Sequence, residues 1–169
     1  MEKKYNVLYV DDEESNLRIF KTAFRKHYKV FTAATAEEGL QILTQEEIHL
    51  IVTDQRMPQM TGVEFLAKIL PDYPDPVRMI LTGFSDVQAI IEAINSGRVN
   101  RYITKPWNKD DLKLILDEAL VSFDQERNKK AKIAILEQEK NQLANEVDRL
   151  KSEIIYKDKI IDELEAKIA

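Results

Sequence analysis

Five short apolar runs recur along the chain, and each is followed by a stretch with helical spacing. The runs are Tyr5–Val10, Lys29–Ala33, His49–Thr53, Val77–Thr82 and Val99–Ile103. Three are rich in Val, Ile and Leu without strict alternation, as expected of strands covered on both faces. Between them, apolar residues fall at helical intervals: Leu17, Phe20, Ala23, Phe24; Ala36, Gly39, Leu40, Leu43; Val63, Leu66, Ala67, Leu70; Val87, Ile90, Ile91, Ile94. Thr35 with Glu38 has the spacing of a capping box, Ser85 or Asp86 suits the start of the fourth helix, and Gly97 suits its end. Strand and helix alternating in this way predict an α/β fold with a doubly wound parallel sheet. In such sheets ligands bind beyond the carboxyl ends of the strands.

From Lys109 onward there is no Gly and no Pro. This predicts one long helix, or two joined near Asp124–Lys130. A heptad fits the later part. One set of seam positions is Ile133, Lys140, Val147, Ile154, Ile161 and Ile168; the other is Leu136, Leu143, Leu150, Lys157 and Leu164. β-Branched residues in the first set and Leu in the second favour a parallel two-stranded coiled coil, here a homodimer through residues 131–168. Lys140 and Lys157 cost stability and help to fix register. Glu146 would meet Lys151 of a second copy, which helps; Glu153 would meet Asp158, which does not. Ile135, Ile155 and Ile160 fall off the seam, which leaves a broader interface or more than two helices as alternatives. A further alternative is an amphipathic helix folded back on the preceding domain. The division expected is a globular domain over 1–124 and a coiled-coil helix over 125–169, continuous with the domain's last helix.

Composition excludes several classes. The absence of cysteine rules out disulfides, thiolate metal sites and cysteine catalysis. The first apolar run is too short, and too soon followed by acid, for a signal peptide, and no run is long enough to span a membrane. A cytoplasmic location is expected. The net charge of −5 falls entirely in the first 124 residues, and the last 45 balance ten basic against ten acidic side chains. Neither part is a basic surface for nucleic acid.

Read at the strand ends, the sequence is acidic. The first run ends in Asp11-Asp12, the third in Asp54, the fourth in Thr82, and Lys105 follows the fifth. Close carboxylates repel unless a cation sits among them, and hard oxygen donors suit Mg²⁺. Each residue alone has an ordinary explanation: a turn or cap for Asp54, a helix start for Asp11-Asp12, a solvated charge for Lys105, a backbone hydrogen-bonder for Thr82. Together they suit phosphoryl transfer to a carboxylate, with metal and lysine offsetting the charge.

YVDDE, VTDQRMPQMTGVEFL, ILTGFSD and YITKPW together resemble the receiver domains of bacterial two-component response regulators, over about residues 3–123. The resemblance implies a flavodoxin-like sheet of order 2-1-3-4-5. It implies Asp54 as phospho-acceptor, modified by a sensor histidine kinase or phosphotransfer protein. It further implies Mg²⁺ held by Asp12, Asp54 and the backbone carbonyl of Arg56, with Asp11 helping through water. Thr82 and Lys105 would contact the phosphoryl oxygens, and Tyr102 would be the switch aromatic. Lys105-Pro106 would be cis, with Met57-Pro58 and Gly62 shaping the loop after the acceptor. Arg56 and Phe84 occupy positions that in this family tune how fast the phosphoryl group is lost; the alternatives are simple packing for Phe84 and a solvent-facing charge for Arg56. His27 and His49 are expected to be structural, and Trp107 to pack at the start of the last helix.

The function expected is a phosphorylation-controlled switch rather than an enzyme, relaying its state through the last helix to a coiled coil and an output domain beyond it. Receivers fused to cyclic-dinucleotide enzymes or to hydrogenase-type transcription regulators are the nearest likeness. The alternatives are a complete stand-alone receiver signalling through its tail, and a phosphatase of the haloacid dehalogenase type. The latter expects an early DxD, where this chain has DDEE.

Overall fold

The computed structural model describes residues 5–83 and 87–168. Strands β1 (Asn6–Val10), β2 (Lys29–Ala33), β3 (Leu50–Asp54), β4 (Val77–Thr82) and β5 (Arg101–Thr104) alternate with helices α1 (Glu14–Phe24), α2 (Ala36–Gln45), α3 (Gly62–Ile69), α4 (Val87–Asn95) and α5 (Lys109–Ile168). All strand pairs are parallel, in the order β2-β1-β3-β4-β5. Fold class and strand order are those expected.

Side-chain alternation divides the core into two layers. Leu8, Val10, Ile51 and Ile80 face α2, α3 and α4, packing on Leu43, Phe65, Leu66, Ile69 and Ile90. Val7, Tyr9, Val52, Leu81 and Ile103 face α1 and the first turns of α5, packing on Phe20, Phe24, Leu112 and Leu116. Every residue of β3 is buried. That explains its unbroken apolar run and puts its last residue, Asp54, at the centre of the sheet's carboxyl edge.

Local signals were partly met. The Thr35 hydroxyl accepts the Glu38 N–H at 3.1 Å, but Glu38 takes the Ala34 N–H at 2.8 Å rather than that of Thr35. The reciprocal box forms instead at α3, between Thr61 and Glu64. Gly97, at φ +72°, ends α4, and the Arg98 N–H closes onto the Ala93 carbonyl at 2.9 Å. The caps expected at Ser85 or Asp86 lie outside the described residues.

Pairing of β5 starts later than its apolar run. Val99 is buried under α4, and Asn100 is engaged with the backbone of Arg78. Arg78 itself is 6% exposed. Its guanidinium donates to the carbonyls of Arg98 (2.9 Å), Pro74 and Pro76 (3.0 Å each), and Gly97 (3.4 Å). It thereby ties the loop before β4 to the loop before β5.

The chain divides into two compact units, Met1–Gln125 and Glu126–Ala169. Helix α5 contributes Leu112, Leu116, Ala119, Leu120 and Phe123 to the first. In the second, helical throughout its described residues, all nine apolar seam residues are exposed, from 44% at Leu150 to 85% at Ile168. No described helix is long and apolar enough to cross a membrane.

Candidate functional site at the carboxyl edge of the sheet

Sheet register decides which strand-end residues meet. Val10 pairs with Thr53, so the next residues, Asp11 and Asp54, stand abreast on adjacent strands. Asp54 pairs with Leu81, and Thr82 lies one residue further on. Thr82 pairs with Thr104, which places Lys105 beyond it. Parity then sorts the side chains. Asp11, Asp54 and Lys105 continue the alternation of Tyr9, Val52 and Ile103 on the α1/α5 face. Thr82 continues that of Ile80 on the other.

The first three make direct contact. The Lys105 ammonium donates to Asp11 Oδ2 at 3.1 Å and to Asp54 Oδ1. The other oxygen of Asp54 accepts the Arg56 N–H at 2.6 Å, which fixes the rotation of the carboxylate. Asp11 is 1% exposed. Besides Lys105, it accepts from the Tyr9 hydroxyl at 2.5 Å, the Glu13 N–H at 3.0 Å and the Asn16 amide at 3.0 and 3.1 Å. Burial pushes its carboxyl up, but these four donor groups outweigh burial and hold it below the ordinary carboxylate range. Burial likewise pulls Lys105 down, and its bonds to Asp54 and Asp11 and their charge outweigh it and leave the ammonium raised. Tyr9 is driven up by burial and by the adjacent Asp11, so it stays a neutral donor.

The remaining expected residues stand around this centre. Asp12 is exposed at the rim. Thr82 is 1% exposed, and its hydroxyl donates to the Gly83 carbonyl at 2.9 Å rather than towards Asp54. Tyr102 is 37% exposed. Lys105-Pro106 is cis. Phe84 lies outside the described residues. His49 is buried, accepts the Asn6 N–H on Nδ1 at 3.0 Å and packs edge-on against Phe123, a structural role far from the acidic edge. Trp107 packs on Phe20 and Phe24 of α1. With Asn16, Ile19, Lys105 and Pro106 it lines a cleft of about 510 Å³ that opens onto the lysine.

Gly62 is required by close approach, since a β-carbon there would lie 2.3 Å from the Asp54 carbonyl oxygen. Its N–H donates to the Gln55 carbonyl at 3.0 Å, and the Gln55 side chain accepts the Val63 N–H at 3.2 Å. Two site residues were not anticipated, Tyr9 and Asn16. Tyr9 was legible in principle, because a residue two before a strand-end acid shares its face. Asn16 reaches Asp11 only once α1 is in place.

The donors here are all hard oxygens. Asp11, Asp12 and Asp54 together carry three negative charges against the one ammonium of Lys105, which touches the first and third. The two uncompensated negative charges match one divalent cation. Among the described residues, no three His, Cys, Asp or Glu side chains are grouped closely enough to hold a metal by themselves. A backbone carbonyl and water would have to complete the set.

A five-stranded parallel sheet with two acids and a lysine joined at its carboxyl edge defines a receiver-type signalling domain. The family model for the response regulator receiver domain matches residues 7–117, and the chain belongs to that family. It is 38% identical over 114 residues to the hydrogenase transcriptional regulatory protein HoxA of Bradyrhizobium diazoefficiens, covering 68% of this chain and 24% of that protein. It is 33% identical over 119 residues to the transcriptional regulatory protein GlrR of Escherichia coli, covering 70% and 27%. The chain therefore spans about a quarter of these relatives' length. A CheY-like response regulator receiver domain protein from Methanospirillum hungatei superposes with a TM-score of 0.69 at 30% identity, covering 73% of this chain and 99% of that one. The signal receiver domain of an HD domain-containing protein from Pseudomonas fluorescens does so at 34% identity, with the same TM-score and coverage.

Proposed function

We propose that the segment is a phosphorylation-controlled switch in which Asp54 accepts a phosphoryl group from a sensor histidine kinase or phosphotransfer protein. The observation that carries this reading is the contact of Lys105 with both Asp54 and Asp11 at the central strand's carboxyl end. An Asp54 oxygen attacks phosphorus, the donor's P–N bond breaks, and its electron pair returns to the imidazole nitrogen. Lys105 moves its contact from the carboxylate to the arriving phosphoryl oxygens, where negative charge accumulates. Asp12, Asp54 and the Arg56 carbonyl would hold Mg²⁺, with Asp11 acting through water, since its oxygens are already taken by protein donors. When bound, the metal supplies charge neutralisation at the transferred group.

Thr82 would then turn its hydroxyl from Gly83 to the phosphoryl group, and the exposed Tyr102 would follow it inward. Ile80 pairs with Tyr102 and Thr82 with Thr104, so Thr82 and Tyr102 share a face of the sheet, one diagonal step apart. The shift passes to the face made by α4, β5 and α5. We assign residues 1–124 to the receiver and 125–169 to a helix that pairs with a second copy, in the cytoplasm. The regulator names of the relatives, and the quarter of their length matched here, favour an output domain outside this segment. Titration with beryllofluoride, read by Trp107 fluorescence, tests the site. The response should require Mg²⁺ and vanish in Asp54→Asn; a response retained with chelator and in that variant overturns the assignment.

A further inference from the structure

We infer that the charges flanking the α5 seam oppose the reversed pairing of two copies of this helix, and so reinforce the seam's own preference for the parallel, in-register arrangement. The inference rests on the dimeric reading above and adds the flanking contacts that exclude the reversed arrangement.

From Ile133 to Leu164 the seam places apolar on apolar in both directions. In a parallel pair every seam residue meets its own copy. With one helix reversed, Ile133 falls opposite Leu164, Leu136 opposite Ile161, Leu143 opposite Ile154 and Val147 opposite Leu150. Lys140 falls opposite Lys157. Apolar meets apolar and lysine meets lysine either way. All of these apolar residues are exposed in the single chain, so either pairing buries the same set. Apolar burial alone has no direction, so at the seam only the packing geometry of β-branched and leucine layers favours the parallel pair.

The flanks add to that preference. In parallel pairing, the residue before each first-set seam position faces a residue five further along the second copy. Lys132 then faces the partner's Glu137, and Glu146 faces the partner's Lys151. Glu153 faces the partner's Asp158, the one unfavourable contact. Reversal brings like flanks together. Glu146 then meets the partner's Glu153, Lys132 the partner's Lys167 and Glu137 the partner's Asp158, and all three repel. On its own helix, Glu146 already pairs with Arg149 at 2.7 Å and Lys151 with Asp148 at 3.7 Å. These are exposed i,i+3 pairs that can be shared with a second copy at little cost.

The chain has no cysteine, so single cysteines report orientation directly. Ile133→Cys and Leu164→Cys are made separately in the full chain, one carrying an affinity tag, then oxidised mildly alone and after mixing. Each should cross-link to itself, and no mixed adduct should form. A mixed adduct without self-adducts overturns the orientation while leaving the dimer intact. A monomer mass at micromolar concentration, with no adduct of either kind, overturns the dimeric reading together with this one. Glu146→Lys gives an independent sign. In the parallel pair it turns attraction to Lys151 into repulsion, twice by symmetry, and should raise the dimer Kd about tenfold. In the reversed pair it relieves Glu153 and tightens the dimer, which would refute the inference.

Discussion

Replacing Tyr9 by Phe isolates what holds Asp11 charged inside the protein. The ring keeps its stack on Phe20, with centroids 4.3 Å apart, and only the hydroxyl 2.5 Å from Asp11 Oδ2 is lost. A hydrogen bond to a buried charge is worth about 1.5–3 kcal/mol. Asn16, the Glu13 amide and Lys105 still serve the carboxylate, so the cost should fall in the lower half, about 1.5–2 kcal/mol. That is a sizeable part of the roughly 5–15 kcal/mol that holds a domain of this kind together. The pH dependence has a definite sign. The folded pKa of Asp11 lies below its unfolded value, so its contribution is complete above about pH 4 and is lost as pH falls through the folded pKa. Losing the Tyr9 donor raises the folded pKa. The gap between wild type and Tyr9→Phe should therefore be full at pH 7 and close in acid. Urea unfolding followed by Trp107, the sole tryptophan and part of the receiver unit, measures this in the presence of a chelator. A difference under about 0.5 kcal/mol at pH 7, or one that does not shrink in acid, would refute the reasoning.

Other outcomes follow from neighbouring contacts. Lys105→Met leaves Asp11 and Asp54 facing each other without their shared cation; acetyl phosphate should label the variant roughly 10²-fold more slowly in timed mass spectra. Gly62→Ala pushes a methyl group into the Asp54 carbonyl; thermal melts should show a loss of about 1–3 kcal/mol, with slower labelling because the acceptor loop moves. Arg78→Lys cannot reach the four carbonyls that the guanidinium serves, and should cost about 2–3 kcal/mol in urea unfolding without changing the labelling rate, since Arg78 lies at the opposite end of β4.

The fold was legible because each strand announces itself by apolar content and each helix by spacing, and these signals are local. The acidic edge was legible because strand-end residues share one rim whatever the loops do. Lost from view was whatever depends on partners far along the chain. Arg78 reads as a charge inside a strand run, yet its partners are backbone carbonyls, which carry no sequence signature. Val99 reads as strand because it is apolar, but it is buried under α4 while pairing waits until Arg101. Thr61 and Glu64 have the same spacing as Thr35 and Glu38, and only the backbone geometry separates the closed box from the displaced one. Tyr9 shows the reverse. Inside an apolar run its ring reads as core, and only the two-residue step to Asp11 marks its hydroxyl as part of the site.

The central claim is that Asp54 is the side chain whose charge is meant to change. Intact-mass spectrometry after incubation with acetyl phosphate and Mg²⁺ addresses it directly. The account predicts one added phosphoryl group on the wild-type chain, located at Asp54 by peptide mapping, and none on Asp54→Asn. Stoichiometric labelling of Asp54→Asn under the same conditions would contradict it.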